Sequence, residues 1–502
     1  MTNKKRKNEQ SFLKKILDFE QKQRNKENSK LKVLSKSTLN RRLIFVMVFF
    51  VLLFMSLALY LVYFQLFKAK TLAEDSHNRR LWLNEDLIQR GSIFDRNDNI
   101  IAYSQRDNQG KQRRIYNYPL ASSTITGYSS TSYGKTGLEK SYNRQLLAIS
   151  NENFSQFRKM VVKNDTGYDL HLSVDQNIQN IVYNYLANYK SACVIMNPKT
   201  GEILAMVSTP TFNPNSLDND WNNLIQNNDG RLINRATLGL YRPGSVFKII
   251  SAASIIDNKL DQTYEDTGSE IVQGFEIKNY DNQVFGNLDL RNAFIYSVNT
   301  YFAKKSVDMG QEKLQATSEK FLFNKDYDFD LDKNNSKIPF KDLNKADLAM
   351  TGFGYGKTQV TPLHMAMITS AIANDGVMVS PRLVNKVTNK DGKIISESKT
   401  KNLSVVTSPE TAGTIRDMMV DVVNKGTATE AFLQSVQIAG KTGTADKADG
   451  KIDAWFVGFA PAYDPKIAIA LVIEDSQGTG GQVAAPIARE IMKSIFNTTS
   501  FE

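Results

Sequence analysis

Along the chain the period of the apolar positions changes several times, and each change marks an element. Leu43 through Phe67 is a run of 25 residues without a formal charge, almost all apolar or aromatic. At 1.5 Å per residue its first 22 positions span about 33 Å, enough to cross a hydrocarbon core, and no polar face marks it as a soluble core helix. A signal peptide would be shorter and followed by a small-residue cleavage site, so the pattern predicts an uncleaved anchor. Downstream, Arg90-Gly91-Ser92-Ile93-Phe94-Asp95-Arg96, the polar turn Asn97-Asp98-Asn99 and Ile100-Ile101-Ala102-Tyr103 read as strand, turn, strand. A turn cluster at Asn164-Asp165-Thr166-Gly167 marks a domain boundary. Ser173-Val174-Asp175-Gln176 has the spacing of a capping box opening a helix through Tyr185. Ala192–Met196 and Ile203–Val207, joined by Asn197-Pro198-Lys199-Thr200-Gly201, predict an antiparallel hairpin. A helix-rich section follows, with a polar surface loop from Lys325 to Asn335. Strand patterns return at Val436–Ala439, Ala454–Phe459 and Ile467–Ile473, and a last helix runs from Ala484 to Ile495. Strands at both ends with helices between predict an α+β domain whose sheet is closed by distant segments.

Charge adds an orientation. The 502 residues carry a formal net charge of +11, which alone would point to an anionic partner such as nucleic acid. Residues 1–42, however, hold 14 Lys and Arg against 4 Asp and Glu, a net of +10, and the remainder is nearly balanced at +1. The excess before the span places the N-terminus in the cytoplasm and everything after Lys68 outside it, and it removes the case for nucleic acid. The tail could contact anionic lipid, but its Asn, Lys, Gln and Ser content cannot support a core, so a disordered topogenic tail is expected. The domains expected are therefore a tail over 1–42, a span over 43–67, a small β-rich domain over 68–165 and a larger domain over 166–502. Cys193 is the single cysteine, and His77, His171 and His364 match no metal spacing, so neither a disulfide, a metal nor a cofactor is expected.

The chemistry concentrates in Arg242-Pro243-Gly244-Ser245-Val246-Phe247-Lys248. Pro-Gly places Ser245 at the start of a helix that continues to about Ile256 and is apolar nearly all round, so Lys248, one turn on and on the same face, is its only charge. Lowering a lysine pKa by about 3 units takes roughly 4 kcal/mol, which burial and a second cation supply. A serine beside a neutral amine is then a nucleophile that needs no histidine. The same S-x-x-K spacing at Ser11/Lys14 and Ser29/Lys32 falls in the cytoplasmic tail, and at Ser396/Lys399 in a polar stretch that cannot desolvate a lysine. Two further groups follow in chain order: Ser297-Val298-Asn299, and Lys441-Thr442-Gly443-Thr444 on an apolar strand. Lys135-Thr136-Gly137 precedes Ser245 and lacks a strand before it, so it is set aside. Thr351 and Ser435 occupy the glycine positions that a phosphate loop needs, and Gly352-Phe353-Gly354-Tyr355-Gly356 lacks a dinucleotide-site setting, so a tight turn is expected there.

S-x-x-K, S-x-N and K-T-G in this order resemble the penicillin-binding protein and serine β-lactamase superfamily. Arg90–Asn97, Gly137-Leu138-Glu139, Asn197–Met206, Thr361–Ala366 and Trp455–Pro461 are similar to class B penicillin-binding proteins over roughly residues 80–495. The resemblance implies a penicillin-binding transpeptidase fold, an antiparallel sheet flanked by helices, after one transmembrane helix and a β-rich pedestal. It implies a D,D-transpeptidase that cross-links peptidoglycan stem peptides, is acylated by β-lactams and works beside a membrane glycosyltransferase of the shape, elongation, division and sporulation family. Ser245 would attack the penultimate D-Ala carbonyl and Lys248 would take its proton. Ser297 and Lys441 would relay a proton to the leaving amine, Asn299 would bind the substrate amide, and Thr442 and Thr444 the substrate carboxylate. Gly443 would let the donor peptide lie against the strand, and the backbone N–H groups of Ser245 and Thr444 would form an oxyanion hole. A D,D-carboxypeptidase or β-lactamase on the same fold, or a non-catalytic β-lactam sensor, remains open from the residues alone.

Overall fold

A computed structural model describes residues 3–30, 36–68, 88–108, 112–149, 166–227, 229–447 and 449–501. These divide into two compact units, 1–78 and 79–502. The first holds helices α1 (Asn3–Lys30) and α2 (Lys36–Tyr63), the latter extended by a π-helical turn to Lys68. By length and composition Asn40–Lys68 suffices to cross a membrane. The tail thus contains a helix where disorder was expected. Its Lys, Arg, Gln and Glu are good helix formers, neither Gly nor Pro occurs before Gly91, and Asp18/Lys22 and Glu20/Arg24 sit at helix-supporting spacing.

In the second unit the chain runs through β1 (Ile93–Phe94), β2 (Ile100–Arg106), β3 (Gln112–Tyr116), α3 (Gly137–Ser141), β4 (Asp169–Leu172) and α4 (Gln176–Leu186). The hairpin β5 (Ser191–Met196) and β6 (Ile203–Thr209) precedes α5 (Lys248–Asp257), the hairpin β7 (Ser269–Val272) and β8 (Phe275–Lys278), α6 (Asn299–Met309) and α7 (Pro362–Ala373). Further along come β9 (Val384–Thr388), β10 (Ile394–Glu397), α8 (Pro409–Lys425), β11 (Ala439–Asp446), β12 (Ile452–Ala460), β13 (Ile467–Ser476) and α9 (Ala485–Thr498), with shorter elements between.

Two sheets organise these elements. The larger domain's sheet has the order β11-β12-β13-β5-β6, antiparallel throughout, so the hairpin near its start is closed by the three last strands. Every residue of β5 and β6 is buried, because helices cover both faces. Helices α7 and α8 pack together, one against β13 and the other against β11, while α4 lies on β6 and against α9. All twelve residues of α7 are buried. The second sheet has the order β10-β9-β4-β1-β2-β3, with β1 and β4 parallel through Ile93–Leu170 and Phe94–His171. It therefore draws strands from both sides of residue 165. The turn expected at Asn164-Asp165 lies outside the described residues.

Two similarity segments of the N-terminal module meet in this fold. Arg90 Nε and Arg114 Nε donate to the two oxygens of the wholly buried Glu139, at 2.5 and 2.7 Å, and Arg90 also reaches the Glu139 carbonyl and Asn143 Oδ1. Burial opposes the carboxylate, but Arg114 and Arg90 outweigh it and hold its pKa below the ordinary range. Removing one partner of such a pair leaves buried charge uncompensated. Glu139→Gln is expected to destabilise the protein by about 3–5 kcal/mol at neutral pH. Chemical denaturation would read this as a lowered midpoint, and an unchanged midpoint would overturn it.

Several local expectations need correction. The cap of α4 is Asp175, whose side chain accepts from Asn177 and Ile178 N–H; Ser173 instead donates to Ile203 and Arg382 carbonyls, because β4 runs straight into that seam. The strand expected at Val436–Ala439 begins at Ala439, so the K-T-G residues are themselves its core. Tyr327 and Leu331 are buried in the loop from Lys325 to Asn335 and pin it down. Lys135 does close a two-residue strand, Gly134–Lys135, and Gly137 opens the helix that carries Glu139.

Candidate active site

Ser245 sits in a 3-10 turn, Gly244–Phe247, and the α-helix proper starts at Lys248. The expected helix start is therefore a tighter turn, because Gly244 has φ +55°, which no helical residue adopts. A Cβ at Gly244 would stand 2.5 Å from the Thr444 carbonyl oxygen and 3.2 Å from its nitrogen. The serine turn and strand β11 thus touch backbone to backbone. Gly443 has the same effect from the other side, since a Cβ there would lie 2.8 Å from the Pro243 carbonyl oxygen and 3.0 Å from Val246 Cγ1. Its small size makes room for the serine turn, a role that the chain's own packing imposes. Trp455 on β12 secures the approach to this turn by donating to the Arg242 carbonyl at 3.1 Å.

Lys248 is wholly buried, and its Nζ donates to the Ser297 carbonyl at 2.6 Å and to Asn299 Oδ1 at 2.8 Å. Ser297 Oγ lies 3.1 Å from Lys248 Nζ and 3.0 Å from Lys441 Nζ, so one hydroxyl bridges the two lysines. Ser297 has φ +61°, and this left-handed backbone supports the turn that aims its carbonyl and hydroxyl at the same amine. Asn299 Nδ2 donates to the Lys278 carbonyl at the end of β8, which leaves its oxygen for Lys248. That wall is anchored by Asp266 and Asn279, which bind the hydroxyl of Thr300, while Asn279 also takes the Thr300 N–H.

Both lysines are held away from their ordinary protonation. Burial, and then the charge of Lys441, push Lys248 well below the usual lysine range. Burial alone brings Lys441, also wholly buried, to about 7. A neutral Lys248 has two N–H donors and one lone pair. The Ser297 carbonyl and Asn299 Oδ1 can only accept, so they take the two donors and leave the lone pair for a hydroxyl.

Sequence reasoning named Ser245, Lys248, Ser297, Asn299, Lys441, Thr442, Gly443 and Thr444, and the structure brings them together around one turn and one strand. Thr442 is less free than its expected role requires: it is buried, and its hydroxyl pairs with Thr427 Oγ1 at 2.7 Å. Thr444 Oγ1 accepts from Gly480 N at 3.2 Å, which leaves its proton to donate. Thr427, the Lys278 carbonyl and Tyr355, whose hydroxyl donates to the Thr444 carbonyl at 2.9 Å, were not expected. Each comes from a distant segment and none sits in a motif of its own chemistry.

A family model described as the penicillin binding protein transpeptidase domain matches residues 191–493. The chain belongs to the penicillin-binding protein family. A second model, the penicillin binding protein A dimerisation domain, matches residues 90–167. The peptidoglycan D,D-transpeptidase PbpA of Mycolicibacterium smegmatis is 30% identical over 464 residues, 85% of this chain and 92% of that protein. A crystal structure of the D,D-transpeptidase domain of a peptidoglycan glycosyltransferase from Eggerthella lenta is 34% identical, with a TM-score of 0.75 over 82% of this chain and 99% of that one. The ceftriaxone acyl-enzyme complex of penicillin-binding protein A from M. tuberculosis is 29% identical, with a TM-score of 0.76 over 82% of this chain and 99% of that one. Membership makes the chain a transpeptidase of the serine acyl-enzyme type, and the α+β fold with an N-terminal dimerisation domain is the family's own.

Proposed function

We propose that this penicillin-binding protein is a membrane-anchored D,D-transpeptidase that cross-links peptidoglycan stem peptides through an acyl-enzyme on Ser245. The observation that carries this reading is the buried cluster in which Lys248 and Lys441 share the Ser297 hydroxyl. Lys248, held toward its neutral form by burial and by Lys441, takes the Ser245 proton as Oγ attacks the penultimate D-Ala carbonyl. The developing oxyanion lies between the N–H groups of Ser245 and Thr444. Collapse of the tetrahedral intermediate expels D-Ala, whose amine receives a proton through Ser297 and Lys441. An acceptor amine then attacks the ester by the reverse relay. Asn299 orients the substrate amide, and the Thr444 hydroxyl with Lys441 holds its terminal carboxylate, while Thr442 would have to release Thr427 to join them. β-Lactams would enter the same path and stop at the ester.

The span over 43–67 is read as the anchor, the basic tail as cytoplasmic and residues 68–502 as extracytoplasmic, with the pedestal over 68–165 carrying the catalytic domain. This orientation is supported by the charge asymmetry. The glycosyltransferase partner implied by class B resemblance is one of the shape, elongation, division and sporulation family. A hydrolase on the same fold differs in one measurable respect, the lifetime of the ester. Full-length protein mixed with fluorescent penicillin is expected to keep its label for minutes to hours. Release within seconds would favour a β-lactamase and overturn the transpeptidase reading.

A further inference from the structure

The segment Gly352-Phe353-Gly354-Tyr355-Gly356 looked like a plain tight turn, yet it touches both backbone groups of the reacting centre. Gly354, at φ +81°, accepts from Gly244 N–H at 3.0 Å through its carbonyl, and a Cβ on it would stand 2.0 Å from the Gly244 carbonyl oxygen. The Gly244–Ser245 peptide is planar and trans, so its N–H points opposite to that carbonyl, away from Gly354. The neighbouring Gly352 carbonyl accepts from Ser251 Oγ on α5 at 2.6 Å, which fixes the turn to the helix that carries Lys248. Tyr355 supplies the other half, donating to the Thr444 carbonyl. β11 is the edge strand of its sheet, and in an extended strand a residue's N–H and C=O point to the same edge. A tyrosine on the Thr444 carbonyl therefore marks the edge to which the Thr444 N–H also points, beside Gly244.

We propose that the 352–356 turn is the scaffold of the oxyanion hole, with Gly354 setting the direction of the Ser245 N–H and Tyr355, a positioning residue, setting that of the Thr444 N–H. This rests on the acyl-enzyme reading of Ser245 given above. Tyr355 Oη also lies 3.2 Å from Asp446 Oδ2, so its one proton is shared between two acceptors on β11, and Arg242 donates to the Asp446 carbonyl at 3.1 Å. Burial and the Asp446 carboxylate raise its pKa, so it remains a donor at neutral pH.

The test is Tyr355→Phe in the full-length protein, which removes one oxygen and keeps the ring. Acylation by a β-lactam should slow by about 10-fold or more, with the affinity of the preceding non-covalent complex within about 3-fold. Infrared difference spectra of the acyl-enzyme should show the ester carbonyl at higher wavenumber than in the parent protein, because weaker donors polarise it less. A loss of packing alone would lower the denaturation midpoint and leave that band in place. An unshifted band with an unchanged acylation rate would overturn the proposal. Failure of the parent protein to form an ester at Ser245 would instead overturn the reading on which it rests. Gly354→Ala gives a second check, with a larger slowing expected from the collision with the Gly244 carbonyl.

Discussion

Ser245→Ala is expected to abolish covalent penicillin labelling, with acylation reduced by at least about 10⁴-fold and the fold unchanged. Ser245 is half-buried, and its side chain is not one of the groups that hold Lys248, which the Ser297 carbonyl, Ser297 Oγ and Asn299 Oδ1 already satisfy. Removing the hydroxyl therefore takes away the only atom placed to form the ester and leaves the lysine network standing. The denaturation midpoint of the variant should match the parent within about 0.5 kcal/mol. Mass spectrometry of the intact chain after penicillin treatment gives a direct reading. A full adduct mass on the alanine variant would remove Ser245 from its role.

Lys441→Met is expected to act in opposite directions on activity and stability. Acylation should fall by at least about 100-fold, since the variant loses the charge beside Ser297 and the substrate carboxylate. Stability should rise. A lysine whose pKa is depressed on folding binds fewer protons folded than unfolded, so folding is penalised below the unfolded pKa and the penalty fades as pH rises toward it. For Lys441 the fall from 10.5 to about 7 corresponds to roughly 4 kcal/mol near neutral pH, offset in part by about 1–3 kcal/mol for the Ser297 hydroxyl left without its partner. Methionine of similar length should then be more stable than the parent by about 1–3 kcal/mol at pH 6–7, with the advantage shrinking as pH rises from about 7 and lost by about pH 10. Urea midpoints at the two pH values measure it. A variant less stable than the parent at pH 6 would show that the lysine's hydrogen bonds outweigh its burial.

The reactive residues were legible because they are local. Ser245 and Lys248 are one turn apart, Ser297 and Asn299 two residues apart, and Lys441 to Thr444 contiguous, so each motif shows in the sequence, and their order carried the resemblance that implies their roles. The hairpin Ser191–Met196/Ile203–Thr209 was legible for the same reason, with turn residues between two apolar runs. What holds these groups was not legible. Lys278 and Asp266 reach Asn299 and Thr300 across 21 and 34 residues, and Tyr355 reaches Thr444 across 89. A tyrosine in a glycine-rich turn has no local signature of such a contact. The cap at Asp175 was missed because the fold claims the Ser173 hydroxyl for carbonyls elsewhere. The helix in the tail was missed because composition was weighed for core formation rather than for helix propensity.

The six-stranded sheet also has a mechanical consequence. The dimerisation model ends at residue 167 and the transpeptidase model begins at 191, yet β9 and β10, at 384–397, lie in one hydrogen-bonded sheet with β1 to β3. At its centre β4 pairs with β1 on one side and β9 on the other, and from its end Ser173 Oγ reaches the Ile203 carbonyl at 2.8 Å, at the start of β6. Among the described residues the two modules share this hydrogen-bonded seam. A force applied to the N-terminal module would be shared by these backbone hydrogen bonds, next to the five-stranded sheet whose far edge is the K-T-G strand. Such a seam would couple strain in one module to the edge strand of the other.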